Sequence, residues 1–178
     1  MPIETEVKIK IENIDQIKQK LFEIRAEVFK KRALERDDYF DAKNKLKKTQ
    51  QTLRLRDNSI LCYKGPPKKK QNMKIREEIE VMIDNGNYLK EILMKLAYEP
   101  TKVKEKYRES YLFHLTRICI DETPMGNYIE IEGSREGVLD AAKRLGFSEK
   151  DFNTRSYTDI WEVYAKKNKI KGDMVFPT

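Results

Sequence analysis

The sequence predicts an α+β protein, an eight-stranded antiparallel closed β-barrel forming a tunnel, with helices packed outside. Three observations predict it. Segments that alternate apolar with charged residues recur along the chain, and their charged positions carry both signs. The order strand, helix, basic strand, hairpin also runs from residue 3 to 64 and again from about 75 to 132. Successive side chains on a strand point to opposite faces, so each segment has one greasy face and one charged face. Helices can cover the greasy faces, and a closed sheet gives the charged ones a wet interior.

The 178 residues suit one domain with a sizeable core, expected over 1–178 with similar halves at about 3–74 and 75–166. Charged residues make up 38% and the net charge is +7, which favours anionic partners such as phosphates, nucleotides or nucleic acid. Cys62 and Cys119 have no metal-like spacing, and there is no signal peptide or long apolar run. A reduced, cytoplasmic protein with no membrane partner is expected.

Ile3 to Ile11 reads I-E-T-E-V-K-I-K-I, with Ile3, Val7, Ile9 and Ile11 on one face and Glu4, Glu6, Lys8 and Lys10 on the other. Any one such strand is explained by a half-solvated sheet; the recurrence is what asks for a tunnel. Asn13 or Asp15 caps a helix to about Glu27, spaced through Ile14, Ile17, Leu21, Ile24 and Val28. A basic stretch, Phe29 to Arg36, leads into the β-prone pair Tyr39-Phe40 between Asp38 and Asp41. Lys43 to Gln51 is a loop or a single helical turn. Thr52 to Arg56 is a strand with Arg54 and Arg56 on one face, and Asp57-Asn58-Ser59 turns the chain into Ile60 to Lys64. That hairpin brings Lys64 near the start of the arginine strand. Gly65 to Asn72 reads as a mobile loop, its lysines either solvated or a positive flap over an anion site.

Lys74 to Met82 aligns Arg76, Glu78 and Glu80, and a helix follows from about Asn87 to Ala97. Val103 to Phe113 aligns Lys104, Lys106 and Arg108. Leu115 to Asp121 and Tyr128 to Glu132 form a second hairpin around Pro124 to Asn127, with Asp121 near the turn and Glu130 and Glu132 on one face. Ser134 caps a helix to Leu145 with Gly146 as its stop, and Ser156 with Asp159 forms a capping box before a helix from Tyr157 to Lys166. His114 reads as a strand-end packing residue, and Trp161 and Tyr164 as core. The residues through Thr178 carry no readable chemistry.

Like charges two residues apart on a strand stand about 7 Å from each other. Arg54 with Arg56, and Lys106 with Arg108, therefore repel unless an anion lies between them. Arginine forks match phosphate oxygens, while glutamates hold a hard divalent ion that in turn bridges to phosphate. Acids and bases in one tunnel thus suit a metal-bound polyphosphate. The alternative is an internal salt-bridge network without a ligand, at heavy desolvation cost.

Glu4-x-Glu6-x-Lys8 resembles the ExExK signature of CYTH domains, the triphosphate tunnel metalloenzymes. That family includes class IV adenylyl cyclases, thiamine triphosphatases and inorganic or RNA triphosphatases. Leu53-Arg54-Leu55-Arg56, Lys64, Arg76-x-Glu78-x-Glu80, Lys106-x-Arg108, Asp121 and Glu130-x-Glu132 follow in the family's order, and the resemblance runs from residue 4 to about 160. It implies a triphosphate bound with Mg²⁺ or Mn²⁺. It implies that Glu4, Glu6, Glu130 and Glu132 hold metal, and that Lys8, Arg54, Arg56, Lys64, Arg76, Lys106 and Arg108 bind phosphates. Glu78 and Glu80 join the metal set or orient a water, catalytic together with Lys8, and Asp121 belongs to the substrate site by holding an arginine in place. Ser156-Tyr157 resembles a C-terminal motif of the cyclase-like branch, although a helix cap also explains the serine.

The expected partner is therefore ATP, thiamine triphosphate or inorganic triphosphate, with triphosphatase chemistry slightly ahead of cyclisation of ATP to cAMP. From another class, a module that holds RNA or polyphosphate without turnover is the alternative. The inward glutamates count against nucleic acid, which is bound through basic side chains and aromatic rings. A homodimer is compatible with the sequence.

Overall fold

Strand β1 (Ile3–Ile11) buries Val7, Ile9 and Ile11 on one face and Glu6 and Lys8 on the other. A strand buried on both faces needs a layer on each side. In the computed structural model these are helices outside and a charged tunnel inside. The structure describes the backbone of residues 3–70 and 72–177, and the side chains of 5–68 and 72–177.

After β1 come α1 (Ile14–Glu23), β2 (Glu27–Asp41), α2 (Lys45–Lys48), β3 (Thr52–Arg56), β4 (Ile60–Lys64), β5 (Lys68–Lys70) and β6 (Met73–Met82). The chain continues with α3 (Gly86–Lys95), β7 (Glu99–Phe113), β8 (Thr116–Thr123), β9 (Gly126–Glu132), α4 (Arg135–Arg144) and α5 (Tyr157–Asn168). Around the sheet the order is β1-β9-β8-β7-β2-β3-β4-β6, and β6 pairs back onto β1. Eight antiparallel strands thus close into a barrel, with β5 added beside β6. Two registers place the site: Glu6 is opposite Glu132 and Lys8 opposite Glu130 on β9, while Glu6 also faces Lys74 on β6.

The outward faces carry the apolar core. Val7, Ile9, Ile118, Ile120, Ile129 and Ile131 from β1, β8 and β9 meet Ile17 and Leu21 of α1 and Val138, Ala141 and Leu145 of α4. Each such side chain contributes roughly 1.5–3 kcal/mol by leaving water. Phe40, Leu55 and Leu93 form a second cluster under α3, and Trp161, Tyr157, Met125, Tyr128 and Met174 a third beneath α5. Asn13, Ser134 and Ser156 cap their helices as the sequence predicts, with Ser156 and Asp159 forming a capping box. No helix among the described residues is long and apolar enough to cross a membrane.

Three expectations are corrected. Helix α1 ends at Glu23, not near Glu27: Arg25 turns to φ 59° and the Ala26 N–H bonds back to the Leu21 carbonyl at 2.9 Å. Val28 is consequently a strand residue, and the basic stretch Phe29 to Arg36 lies inside β2, pairing with β7 through bulges at Val28/Lys30 and Lys30/Ala33. Gly65 to Asn72 is not wholly loop. Gly65-Pro66-Pro67 interrupts the ladder, which then resumes as β5 along the same side of β6, one residue out of register. The end of β6 extends past β4, so its backbone groups are available for that pairing. His114 is exposed and sits at φ 52° in the β7–β8 turn, so it is a turn residue, though its ring lies 4.3 Å from that of Phe113.

Candidate active site: a charged tunnel

Inside the barrel is a cavity of about 820 Å³. Its wall takes Glu6 and Lys8 from β1, Asp37 and Tyr39 from β2, Arg54 and Arg56 from β3, and Lys64 from β4. Lys74, Arg76, Glu78 and Glu80 come from β6, Lys102, Lys104, Lys106 and Arg108 from β7, and Glu130 and Glu132 from β9. These are the alternate positions of each strand, so the pleat itself selects them. The structure thereby brings together the sequence-derived set, with two exceptions. Asp121 is fully buried behind the wall, and the side chain of Glu4 lies outside the described residues.

The anions that the paired cations need are supplied first by the protein itself. Asp37 bridges the arginine strand: its Oδ2 accepts from Arg54 Nη1 at 3.0 Å and its Oδ1 from Arg56 Nε at 2.9 Å. Asp121 does the same on β7, accepting from Arg108 through both oxygens and from Lys106 at 3.3 Å, with the Tyr157 hydroxyl donating at 2.7 Å. Glu35 Oε2 is ringed by Arg56, Lys106 and Arg108 at 3.5–3.9 Å without a hydrogen bond. Lys8 Nζ sits between Glu6 Oε1 and Glu130 Oε2, 2.9 Å from each, and Glu6 also pairs with Lys74 at 2.7 Å. Lys64 donates to Glu78 at 2.9 Å, and Arg76 donates to the Gly65 carbonyl at 2.6 Å.

These pairings set the titration of the wall. Burial alone would raise Glu6, Asp37, Asp121 and Glu130, yet their lysine and arginine neighbours hold all four below the usual carboxylate range. Glu132 behaves oppositely. Burial and then the charge of Glu130 push it up, and Arg117, its nearest paired cation, stands 3.9 Å away. Glu80 is half-exposed and only loosely held, 3.7 Å from Arg54.

Loosely compensated carboxylates suit a hard divalent ion, which takes oxygen ligands. Glu132 and Glu80 are such positions, and Glu78, although paired with Lys64, stands beside Glu80, their oxygens lying with Cys62 Sγ within 4.8 Å of one another. Cys62 adds nothing to a hard-ion site. Burial pushes its thiol up to about 12, and it donates a hydrogen bond to Glu78 at 3.0 Å. The residues present therefore fit Mg²⁺ or Mn²⁺ better than a soft metal. Glu6 and Glu130 are already engaged by Lys8, so a metal held there competes with that amine.

Sequence reasoning missed Glu35, Asp37, Lys74 and Lys102 as wall or wall-supporting residues. The alternation Glu35, Asp37, Tyr39, Asp41 is the available signal for the first two, masked by the basic run Phe29 to Arg36 inside β2. Lys74 precedes Arg76 by one strand period, as Lys102 precedes Lys104. Tyr157 is part of the wall, under Lys8 and Lys106 at 5.2 and 5.4 Å from its ring centre, while Ser156 is a cap.

A closed antiparallel barrel with its arginines, lysines and carboxylates turned inward defines a β-tunnel protein, whose charged residues line the inside of the sheet. The CYTH domain profile matches residues 2–157, and the chain belongs to that family, whose triphosphate tunnel enzymes depend on metal. Methanocaldococcus jannaschii has a relative named "putative adenylate cyclase", 30% identical in an alignment that covers 89% of this chain and 98% of the relative. Among solved structures, a "putative adenylate cyclase" of Vibrio parahaemolyticus superposes with a TM-score of 0.79 at 21% identity, over 90% of this chain and 98% of that one. A "putative adenylyl cyclase" from Hippeastrum, described with a dominant triphosphatase activity, has a TM-score of 0.58 at 16% identity, over 98% and 92% of the two chains. Both structures share the fold.

Proposed function

We propose that this chain is a metal-dependent enzyme that acts on a triphosphate held in the tunnel, with hydrolysis slightly favoured over cyclisation. The observation that carries the proposal is the cavity. A network of salt bridges formed for its own sake would fill the barrel, whereas about 820 Å³ remains among the charges, a size typical of small-molecule sites. The interior also carries more basic than acidic side chains at its wall, as an anionic ligand requires.

In this reading Arg54, Arg56, Lys64, Arg76, Lys106 and Arg108 clamp the phosphates, pre-oriented by Asp37 and Asp121 so that little order is lost on binding. Lys8, fixed between Glu6 and Glu130, presents positive charge where negative charge develops on the transferred phosphoryl group. Glu132, Glu78 and Glu80 would hold Mg²⁺ or Mn²⁺, with Glu4, Glu6 and Glu130 as the other carboxylates proposed for the metal. Such an ion, when bound, neutralises phosphate charge. Glu80 is free enough to orient a water. The water oxygen adds to the terminal phosphorus, the bond to the bridging oxygen breaks, and the shortened phosphate leaves.

Cyclisation is the second reading, supported by the name of the Methanocaldococcus jannaschii relative. There a ribose 3′-hydroxyl attacks the α-phosphorus and pyrophosphate leaves. Hydrolysis is placed ahead because the two wall tyrosines do not offer open faces to a base. Tyr39 has Lys102 and Lys104 over its ring, and Tyr157 has Lys8 and Lys106. The test is a product assay with ATP, thiamine triphosphate and inorganic triphosphate, with and without Mg²⁺ or Mn²⁺. Metal-dependent orthophosphate is the expected product. Cyclic nucleotide with pyrophosphate would establish the second reading, and no turnover of any of the three would leave a binding module.

A further inference from the structure

We propose that Lys102 and Lys104, which flank the ring of Tyr39 on the β2–β7 wall, form an anion subsite for one phosphate group of the ligand. This rests on the triphosphate reading above and adds a site to it. Both amines line the cavity, 5.1 and 4.6 Å from the Tyr39 ring centre. They differ in their pairing from five other cations of the wall. Lys8, Arg54, Arg56, Lys106 and Arg108 each have a carboxylate within ion-pair distance. Neither Lys102 nor Lys104 has one among the described residues.

The nearest acid on the facing strand is Asp37, opposite Lys104 in register, and both of its oxygens are taken by Arg54 and Arg56. The other groups that face Lys104 are mostly of its own sign: Arg54 on β3, Lys8 on β1 and Lys106 on its own strand. Lys102 is faced by Lys104, Tyr39, Glu162 of α5 and Lys47 of α2. A positive charge partly withdrawn from water, beside like charges and without a counter-ion, is a place that an anion stabilises. Burial, and then the neighbouring cations, lower both lysines, Lys104 well below its ordinary value. An anion arriving there favours the charged amine, so binding draws a proton from solution onto Lys104.

Calorimetry with inorganic tripolyphosphate, without metal and in two buffers of different ionisation heat near pH 8, reads affinity and proton count together. The wild-type protein is expected to take up more protons than Lys104→Met, by up to about one per ligand. Lys104→Met is expected to bind roughly tenfold more weakly, about 1.4 kcal/mol, and Lys102→Met to weaken binding by a smaller factor. Free Lys104→Met should melt no lower than wild type, since it loses an unpaired cation; Lys104→Gln repeats the comparison with a polar side chain. Wild-type affinity and proton count in Lys104→Met would overturn the subsite, as would unfolding of both Lys104 variants. Failure of the wild type to bind tripolyphosphate at all would instead overturn the triphosphate reading.

Discussion

Asp121 and Arg108 face each other through two hydrogen bonds, Nε to Oδ1 at 2.6 Å and Nη2 to Oδ2 at 2.5 Å, with the carboxylate wholly out of water. The same guanidinium reaches Glu130 at 2.8 Å, so this pair ties the buried layer behind the wall to the wall itself. Asp121→Asn keeps the shape but removes the charge opposite Arg108 and Lys106. Breaking a buried pair from one side costs roughly 3–5 kcal/mol, so denaturant unfolding should show a loss of that order. A loss below about 1 kcal/mol would mean that Glu130 and Glu35 alone hold Arg108.

Arg54 and Arg56 share Asp37, and that sharing has a thermodynamic signature. Either arginine changed to Ala should weaken tripolyphosphate binding by about 1.5–3 kcal/mol, the range for a hydrogen bond to a charged group. Each single variant leaves Asp37 one guanidinium, but the double variant strands it. Unfolding of the double variant should therefore cost more than the two single losses together, by about 0.5–3 kcal/mol. Additive losses would show that Asp37 is not the shared partner.

The pH dependence of stability follows from the same pairs. Glu6, Asp37, Asp121 and Glu130 are depressed in the folded protein, so their stabilisation is complete above the ordinary carboxylate values, about pH 4, and is lost as pH falls below them toward the folded values. Glu132 has the opposite sign: it is raised, so its ionisation destabilises the fold as pH climbs through the carboxylate range. Melting temperature should hold nearly level from pH 7 to about 5 and fall steeply below about 4. A gain in melting temperature below pH 4 would contradict the buried pairs.

How much of this was legible in the sequence depended on strand period. Wherever a segment alternated cleanly, as in Glu6-Val7-Lys8 or Arg54-Leu55-Arg56, the inward set could be read, and the closed barrel followed from it. What the pattern could not give was pairing across strands. Asp37 and Asp121 act as the anions between paired cations because Asp37 lies opposite Arg56 and Asp121 opposite Arg108, a register set by the whole closed sheet. Glu35 and Asp37 were lost in the basic run before them, because bulges in β2 break the simple alternation there. The short β5 was hidden by the prolines beside it, since its pairing is decided by the free end of β6.

Of the wall carboxylates, Glu132 carries the central claim most directly, because it lies opposite Glu6, is paired only at 3.9 Å with Arg117 among the described residues, and is raised by burial and Glu130. Glu132→Gln preserves size and hydrogen bonding but removes the charge that a divalent ion needs. Steady-state hydrolysis of tripolyphosphate with saturating Mg²⁺, set beside metal-free tripolyphosphate affinity in the same variant, separates a metal role from a structural one. The expected result is turnover lower by at least about a hundredfold, on the scale of ~3 kcal/mol for one transition-state stabiliser, with metal-free affinity equal or tighter. Full Mg²⁺-dependent turnover in Glu132→Gln would contradict a metal site on β9, and with it the mechanism placed inside this tunnel.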